Sequence, residues 1–127
     1  MNKIDLQNRT KSFAIRVMTL IDHLPSTTKG RVICDQIMRS ATSVASNYRA
    51  VCRARSRAEF VSRLGIVLEE ADESMLWLEL ISEGRLLPAE RVANLIKEAD
   101  EITAIIFSAQ RTAREETGKS KILSRKS

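Results

Sequence analysis

Apolar residues recur along this chain at spacings of three and four, the period that lines one face of an α-helix. The first such stretch covers 8–23 and carries Phe13, Val17, Leu20 and Ile21, with Leu24 next and Pro25 to end it. A second covers 28–54, where Ile33, Ile37, Val44, Tyr48 and Val51 hold one face over about seven turns. The third, 56–83, opens on Ser56-Arg57-Ala58-Glu59, which has the form of a capping box, and continues through Phe60, Leu64, Val67, Ala71, Met75 and Leu78. Gly84 suits a left-handed helix end. Pro88 and Glu90 then read as the first turn of a fourth helix, 88–115, with Val92, Leu95, Ile96, Ala99, Ile102 and Ile106 inward. The pattern fades after Arg114, and 117–127, with Lys119, Lys121, Arg125 and Lys126, reads as a flexible basic tail. Short links between long helices favour antiparallel neighbours, so residues 1–116 are expected to form an all-α, antiparallel up-down-up-down four-helix bundle.

Two helices carry more apolar surface than one face can bury. On the third, Met75, Leu76, Trp77, Leu78, Leu80 and Ile81 are apolar nearly all round. With Leu78 inward, Leu76 and Leu80 project the other way and Trp77 lies on the flank with Ile66. The first helix has a similar surplus in Phe13, Ile15, Val17, Met18 and Leu20. Exposed clusters of this kind mark protein interfaces, and a homo-oligomer is expected. On the second helix Gln36, Ser40, Ser43 and Asn47 form a polar seam beside the core stripe. Small hydroxyls there let another helix approach while Gln and Asn hydrogen-bond across the contact; an ordinary bundle boundary shows the same pattern.

Charge sharpens this picture. The 127 residues carry a formal net charge of +5, unevenly spread. Residues 29–63 hold eight basic and two acidic groups, residues 64–107 hold three and ten, and residues 108–127 hold six and two. A basic second helix and tail thus oppose acidic third and fourth helices. At about 100° per residue, Arg39, Arg49 and Arg53 share an arc of roughly 80° away from the core stripe. Such a run serves as a solvated face, as a phosphate-binding surface, or as a contact for the acidic face of another subunit. With one Trp, one Tyr and three Phe, the chain lacks the aromatic platforms on which bases stack.

Catalytic chemistry finds little support. Glu69, Glu70, Asp72 and Glu73 lack the Glu-x-x-His partners of di-metal bundles, and His23 is the sole histidine, at the end of the first helix. Cys34 and Cys52 are too far apart on one helix to pair, and zinc has too few ligands. No glycine-rich phosphate loop or nucleophile triad is evident, so no enzyme, cofactor or metal is expected. No run is long and apolar enough to span a membrane, and charges interrupt any signal core; a cytoplasmic location is expected.

The stretch Gln36-Ile37-Met38-Arg39-Ser40-Ala41-Thr42-Ser43-Val44-Ala45-Ser46-Asn47 carries a family resemblance, continued in Ala58-Glu59-Phe60, Leu68-Glu69-Glu70-Ala71-Asp72-Glu73-Ser74 and Trp77-Leu78-Glu79-Leu80. Over roughly Lys11 to Thr112 the chain resembles the bacterial four-helix-bundle family of 23S rRNA intervening-sequence proteins. Members are similar to the accessory protein of diversity-generating retroelements. The resemblance implies a homopentamer and, from the retroelement protein, nucleic-acid binding through basic surface; it brings no catalytic residues. Where relatives commonly place an acidic residue, this chain has Ala50, which makes the end of the second helix especially basic.

The expected function is therefore binding of RNA or DNA by a non-enzymatic homo-oligomer. Arg39, Arg49, Arg53, Arg55 and Arg57 are the leading phosphate contacts, with Arg111, Arg114 and the tail lysines as auxiliaries. Gln36, Ser40, Ser43, Asn47, Ile66, Leu76, Trp77 and Leu80 are the expected oligomer interface. The rival is a scaffold that binds an unidentified protein partner through the acidic helices or the polar seam, with the arginines serving subunit contacts.

Overall fold

The computed structural model describes the backbone of residues 1–126 and side chains through Gly118. It contains four helices, α1 (Lys3–Ile21), α2 (Thr28–Cys52), α3 (Arg57–Glu83) and α4 (Ala89–Lys126), and no strand among the described residues. Each helix packs on the next and α4 returns to α1, while the diagonal pairs stay apart. This is the antiparallel up-down-up-down bundle that the short links predict. The α1/α4 seam is the least tightly closed.

Polar residues outside the apolar pattern set where the helices begin. Asn2 caps α1 by accepting from the Asp5 N–H at 2.8 Å, and the Asp5 carboxylate accepts from the Asn2 N–H at 3.4 Å. This reciprocal box starts α1 at Lys3 instead of at the expected 8, and buried Leu6, seven residues before Phe13, extends the apolar stripe into the added turns. Thr27 caps α2 by accepting from the Gly30 N–H at 3.1 Å. A Cβ on Gly30 would collide with the Pro25 carbonyl oxygen, so glycine lets the α1–α2 loop close against the helix. At α3, Ser56 accepts from the Glu59 N–H at 3.1 Å, but the Glu59 carboxylate reaches past the cap to the Arg55 N–H at 3.2 Å. The expected box is thus displaced by one residue on its return side.

Two helix ends depart from expectation. Gly84 is right-handed (φ −77°), and the left-handed residue is Arg85 (φ 59°). The Leu86 N–H donates to the Ile81 carbonyl at 2.9 Å and the Arg85 N–H to that of Ser82 at 3.1 Å, the paired bonds of a Schellman ending. Glycine at 84 still serves, because a Cβ there would meet the Leu80 carbonyl oxygen at 2.5 Å. Beyond 115, where a flexible tail is expected, the α4 backbone stays helical to Lys126. Gly118 costs about 1 kcal/mol there, while Glu115, Glu116, Lys119 and Lys121 around it are good helix formers. The side chains of Lys119, Lys121, Arg125 and Lys126, and all of Ser127, lie outside the described residues.

The stripes meet in one core. Phe13 and Val17 of α1, Ile37, Val44 and Val51 of α2, Leu64, Val67, Leu78 and Ile81 of α3, and Val92, Ile102 and Ile106 of α4 are fully buried. Each large side chain of this kind contributes roughly 1.5–3 kcal/mol by leaving water. Thr10, Ser40, Ser74 and Gln110 are the buried polar residues among those described. The Ser74 hydroxyl lies 2.9 Å from that of Ser40 and 2.8 Å from the Glu70 carbonyl oxygen, while Gln110 donates to the Val61 carbonyl at 3.2 Å. No buried side-chain polar atom among the described residues lacks a partner.

Candidate nucleic-acid interface

Among the described residues, positive charge is concentrated where α2 ends and α3 begins. Arg49 and Arg53 stand one turn apart on the exposed side of α2, where guanidiniums also complement the negative end of the helix. The Arg53 N–H closes the helix on the Ala50 carbonyl at 3.1 Å, and the chain turns through Ala54 and Arg55 to the Ser56 cap. Ser46, Arg49, Ala50, Arg53, Arg55, Glu59 and Arg63 line a groove of about 460 Å³ at this corner. Four guanidiniums face one carboxylate. Glu59 is itself engaged, accepting from Arg63 Nε at 3.0 Å and from the Arg55 N–H, and these bonds hold its carboxyl below the usual carboxylate range. Arg49, Arg53 and Arg55 form no ion pair among the described residues.

The other arginines expected to bind phosphate are dispersed. Arg39 lies ten residues before Arg49, about 15 Å along α2. Its guanidinium pairs with Glu70 at 3.1 Å and with Glu73, both on α3. The Arg39 hydrogen bond depresses the Glu73 carboxyl, and Trp77 Nε1 adds a second donor at 3.3 Å. Arg39 is thus an internal tie between α2 and α3 and does not belong to the open groove. Arg57 lies across the corner, paired with Glu116 of α4. It lines a separate notch of about 350 Å³ with Lys3, Ser56 and Phe60, where the Lys3 ammonium sits 5.3 Å from the ring centre. Arg111 pairs with Glu115 on its own helix at 3.3 Å, and exposed Arg114 has no ion pair among the described residues. The Arg57–Glu116 pair shows that this part of α4 reaches the same end of the bundle.

Arg63 is the groove residue that the charge pattern does not single out. Its signal was available: it follows Glu59 by four residues on a helix, which aims both side chains to one edge of the corner. No aromatic residue lines the groove, so its chemistry is that of guanidinium forks, suited to phosphate oxygens and indifferent to base identity.

The expected interface residues divide in the same way. Ile66, Leu76 and Leu80 are exposed at 39%, 48% and 40% on α3. Trp77 is half-buried and packs on the core. Ser40 cannot serve a subunit contact: it is fully buried, facing Ser74 of its own chain. At 100° per residue it lies nearer the core stripe than its neighbours in the seam, and α3 already occupies that side. Gln36, Ser43 and Asn47 are half-buried, and Asn47 donates to the Ser43 carbonyl at 2.9 Å.

The carboxylates of α4 are likewise engaged. Glu98 accepts from Arg9 Nη2 at 2.6 Å and from Nε at 2.9 Å, and Glu101 accepts from Nη2 at 2.5 Å. These bonds hold the Glu98 carboxyl below its ordinary range and raise the Arg9 guanidinium. No group of three His, Cys, Asp or Glu side chains gathers as a metal would require among the described residues. Cys34 and Cys52 are free thiols; burial and the neighbouring Cys52 push the Tyr48 phenol up to about 12. No helix is long and apolar enough to cross a membrane among the described residues.

Comparison with known proteins fits this architecture. No curated protein matches the sequence. A crystal structure of a protein of unknown function from the S23 ribosomal protein family of Bacteroides thetaiotaomicron superposes with a TM-score of 0.77 and 32% sequence identity, covering 83% of this chain and 97% of that one. Residues 2–108 match the family model described as 23S rRNA-intervening sequence protein. With the bundle, the helix order and most of the chain in agreement, the protein belongs to the 23S rRNA-intervening sequence protein family.

Proposed function

We propose that this protein is a non-enzymatic nucleic-acid-binding bundle that holds RNA or DNA by its phosphates at the α2–α3 corner and self-associates to multiply that contact. One observation carries the reading: Arg49, Arg53 and Arg55 converge on one groove without a carboxylate of their own, although the same chain neutralises Arg9 and Arg39 with two carboxylates each. Guanidiniums left uncompensated in a cluster repel one another and are favoured where an anion completes them. Arg63 steadies the far wall through Glu59, and Arg57 and Arg114 extend positive charge around the same end. Without stacking platforms, affinity comes from counterion release and is insensitive to sequence.

Fluorescence anisotropy with a labelled RNA hairpin and a labelled DNA duplex, across a salt series, tests this. The expected result is binding at low salt with log affinity falling linearly against log salt for both ligands. Absence of binding at low salt, or binding that salt leaves unchanged, contradicts it. In the scaffold reading the arginines face acidic side chains of a neighbouring subunit; no RNA would then bind the purified protein.

A further inference from the structure

The last turns of α4 run on past the bundle. Arg57 opens α3 and pairs with Glu116, so α4 draws level with the start of α3 there. Its backbone stays helical to Lys126, ten residues farther, which carries it about 15 Å beyond that end. Ala113 is the last buried position of α4 among the described residues, and a Cβ on Gly118 would meet nothing within 4 Å. The core does not require this extension, and its charge is of one sign. Residues 117–127 contain Lys119, Lys121, Arg125 and Lys126 and no acidic residue. At about 100° per residue, positions 114, 118, 121 and 125 fall within an arc of about 60°, so the backbone sets Arg114, Lys121 and Arg125 along one face. Arg114 is exposed and forms no ion pair among the described residues.

We infer that this extension is a helical arm that enters the major groove of duplex DNA while the arginines of the α2–α3 corner hold the bordering phosphates. The inference rests on the phosphate-binding reading above and names its substrate. An α-helix with its side chains is about 10–12 Å across, and the major groove of B-form DNA, about 12 Å wide, admits one. The major groove of duplex RNA is deep and narrow and gives such an arm no entry. Neighbouring helices in a bundle lie about 8–10 Å apart, so a strand bordering the groove that holds the arm passes over the start of α3. Arg55 and Arg57 stand there on either side of the Ser56 cap. Basic residues without acid among them suit phosphates on both walls, so the gain follows groove shape and not base identity. Ile122 and Leu123 are the only large apolar residues in 117–127, too little apolar surface to seat the arm in a bilayer interface.

Fluorescence anisotropy with DNA and RNA duplexes of equal length and matched sequence, at one low salt concentration, tests the arm on the full chain. The wild type is expected to bind the DNA duplex about 10-fold more tightly than the RNA duplex. Gly118→Pro keeps every charge but breaks the helix at the root of the arm, and should bring DNA affinity down to the RNA value while RNA affinity holds. Gly118→Ala favours the helix and fits the open space, and should bind DNA at least as tightly as the wild type. Lys121→Glu with Arg125→Glu should weaken DNA binding more than RNA binding. All these positions lie beyond Ala113, and far-UV circular dichroism with a cooperative melt checks that the bundle persists. Equal wild-type affinities for the two duplexes, or a DNA preference that survives Gly118→Pro, overturns the arm. Binding to phosphatidylglycerol vesicles that Gly118→Pro abolishes, without a DNA preference, overturns it in favour of a lipid surface. The corner is judged separately by reversing Arg49, Arg53 and Arg55 to Glu. Equal binding of both duplexes that this reversal abolishes overturns the arm and supports the corner; a DNA preference and affinity that it leaves unchanged support the arm and overturn the corner. A wild type that binds neither duplex overturns both.

Discussion

The arginines in the body of the bundle and those at the α2–α3 corner are chemically identical and physically opposite. Arg9 and Arg39 are each clasped by two carboxylates spaced i and i+3 on the neighbouring helix, Glu98 with Glu101 and Glu70 with Glu73. Arg49, Arg53 and Arg55 share a groove whose one carboxylate, Glu59, is already held by Arg63. What decides the difference is the facing helix. Opposite a Glu-x-x-Glu step the planar fork finds two acceptors and becomes a strut. At the last turn of α2 the one acid that α3 brings to the groove is Glu59, already held by Arg63, and the charge remains available to an external anion.

Reversing the corner should have the largest effect on binding. Arg49→Glu, Arg53→Glu and Arg55→Glu together are expected to weaken RNA binding about 100-fold at low salt, since three phosphate contacts become repulsions. The fold should persist with only a modest loss of thermal stability, because the side chains are exposed and unpaired but glutamates at the end of α2 oppose the helix dipole. Binding by the triple variant equal to wild type would remove the corner from the account.

The strut class should show the converse. Arg9→Met removes charge-assisted bonds to Glu98 and Glu101 across the α1/α4 seam and is expected to cost about 1.5–3 kcal/mol in urea unfolding. RNA affinity should stay at its wild-type value. A variant that loses RNA binding while keeping its stability would reverse the assignment.

Protonation offers a gentler version of the same break. The Glu98 carboxyl is held low chiefly by its hydrogen bond from Arg9. A carboxyl depressed in the folded state contributes stability that is fully present above its unfolded value, about 4.3, and is lost as the pH falls through the folded value. The melting temperature should therefore drop below about pH 4 in the wild type and drop less in Arg9→Met. Parallel acid profiles would show that the pair contributes nothing.

These contrasts also show what one chain of letters carries. The four stripes, from Phe13 and Val17 to Ile102 and Ile106, define the helices and their inward faces, because burial must repeat with the helical period. The start of α1 is only partly legible in that logic: buried Leu6, seven residues before Phe13, continues the stripe upstream of 8, but Asn2 and Asp5 set the first residue through backbone hydrogen bonds. Arg39 shows the same gap at the site. It shares an outward arc with Arg49 and Arg53, so charge counting places the three together. Only the register of α3 against α2 brings Glu70 and Glu73 beneath it. Ser40 was legible as small and polar beside the core, but whether its neighbour is another subunit or its own α3 depends on packing. Leu76 and Leu80 needed no such information, since a helix apolar on all sides must leave some of that surface outside.

The smallest effect should come from Arg39→Gln. Releasing Glu73 alters the polar environment of Trp77 Nε1, so the tryptophan emission should shift while RNA affinity stays put. An affinity that falls with this one change would move Arg39 from the struts to the binding surface.

The salt dependence of RNA binding compares the two classes in a single observable. The slope of log affinity against log salt should become shallower by roughly two to three when Arg49, Arg53 and Arg55 are reversed, as expected for three lost phosphate contacts, and should not change in Arg39→Gln. Equal slopes for the wild type and the corner variant, or a shallower slope for Arg39→Gln, would contradict the division of the arginines into binders and struts.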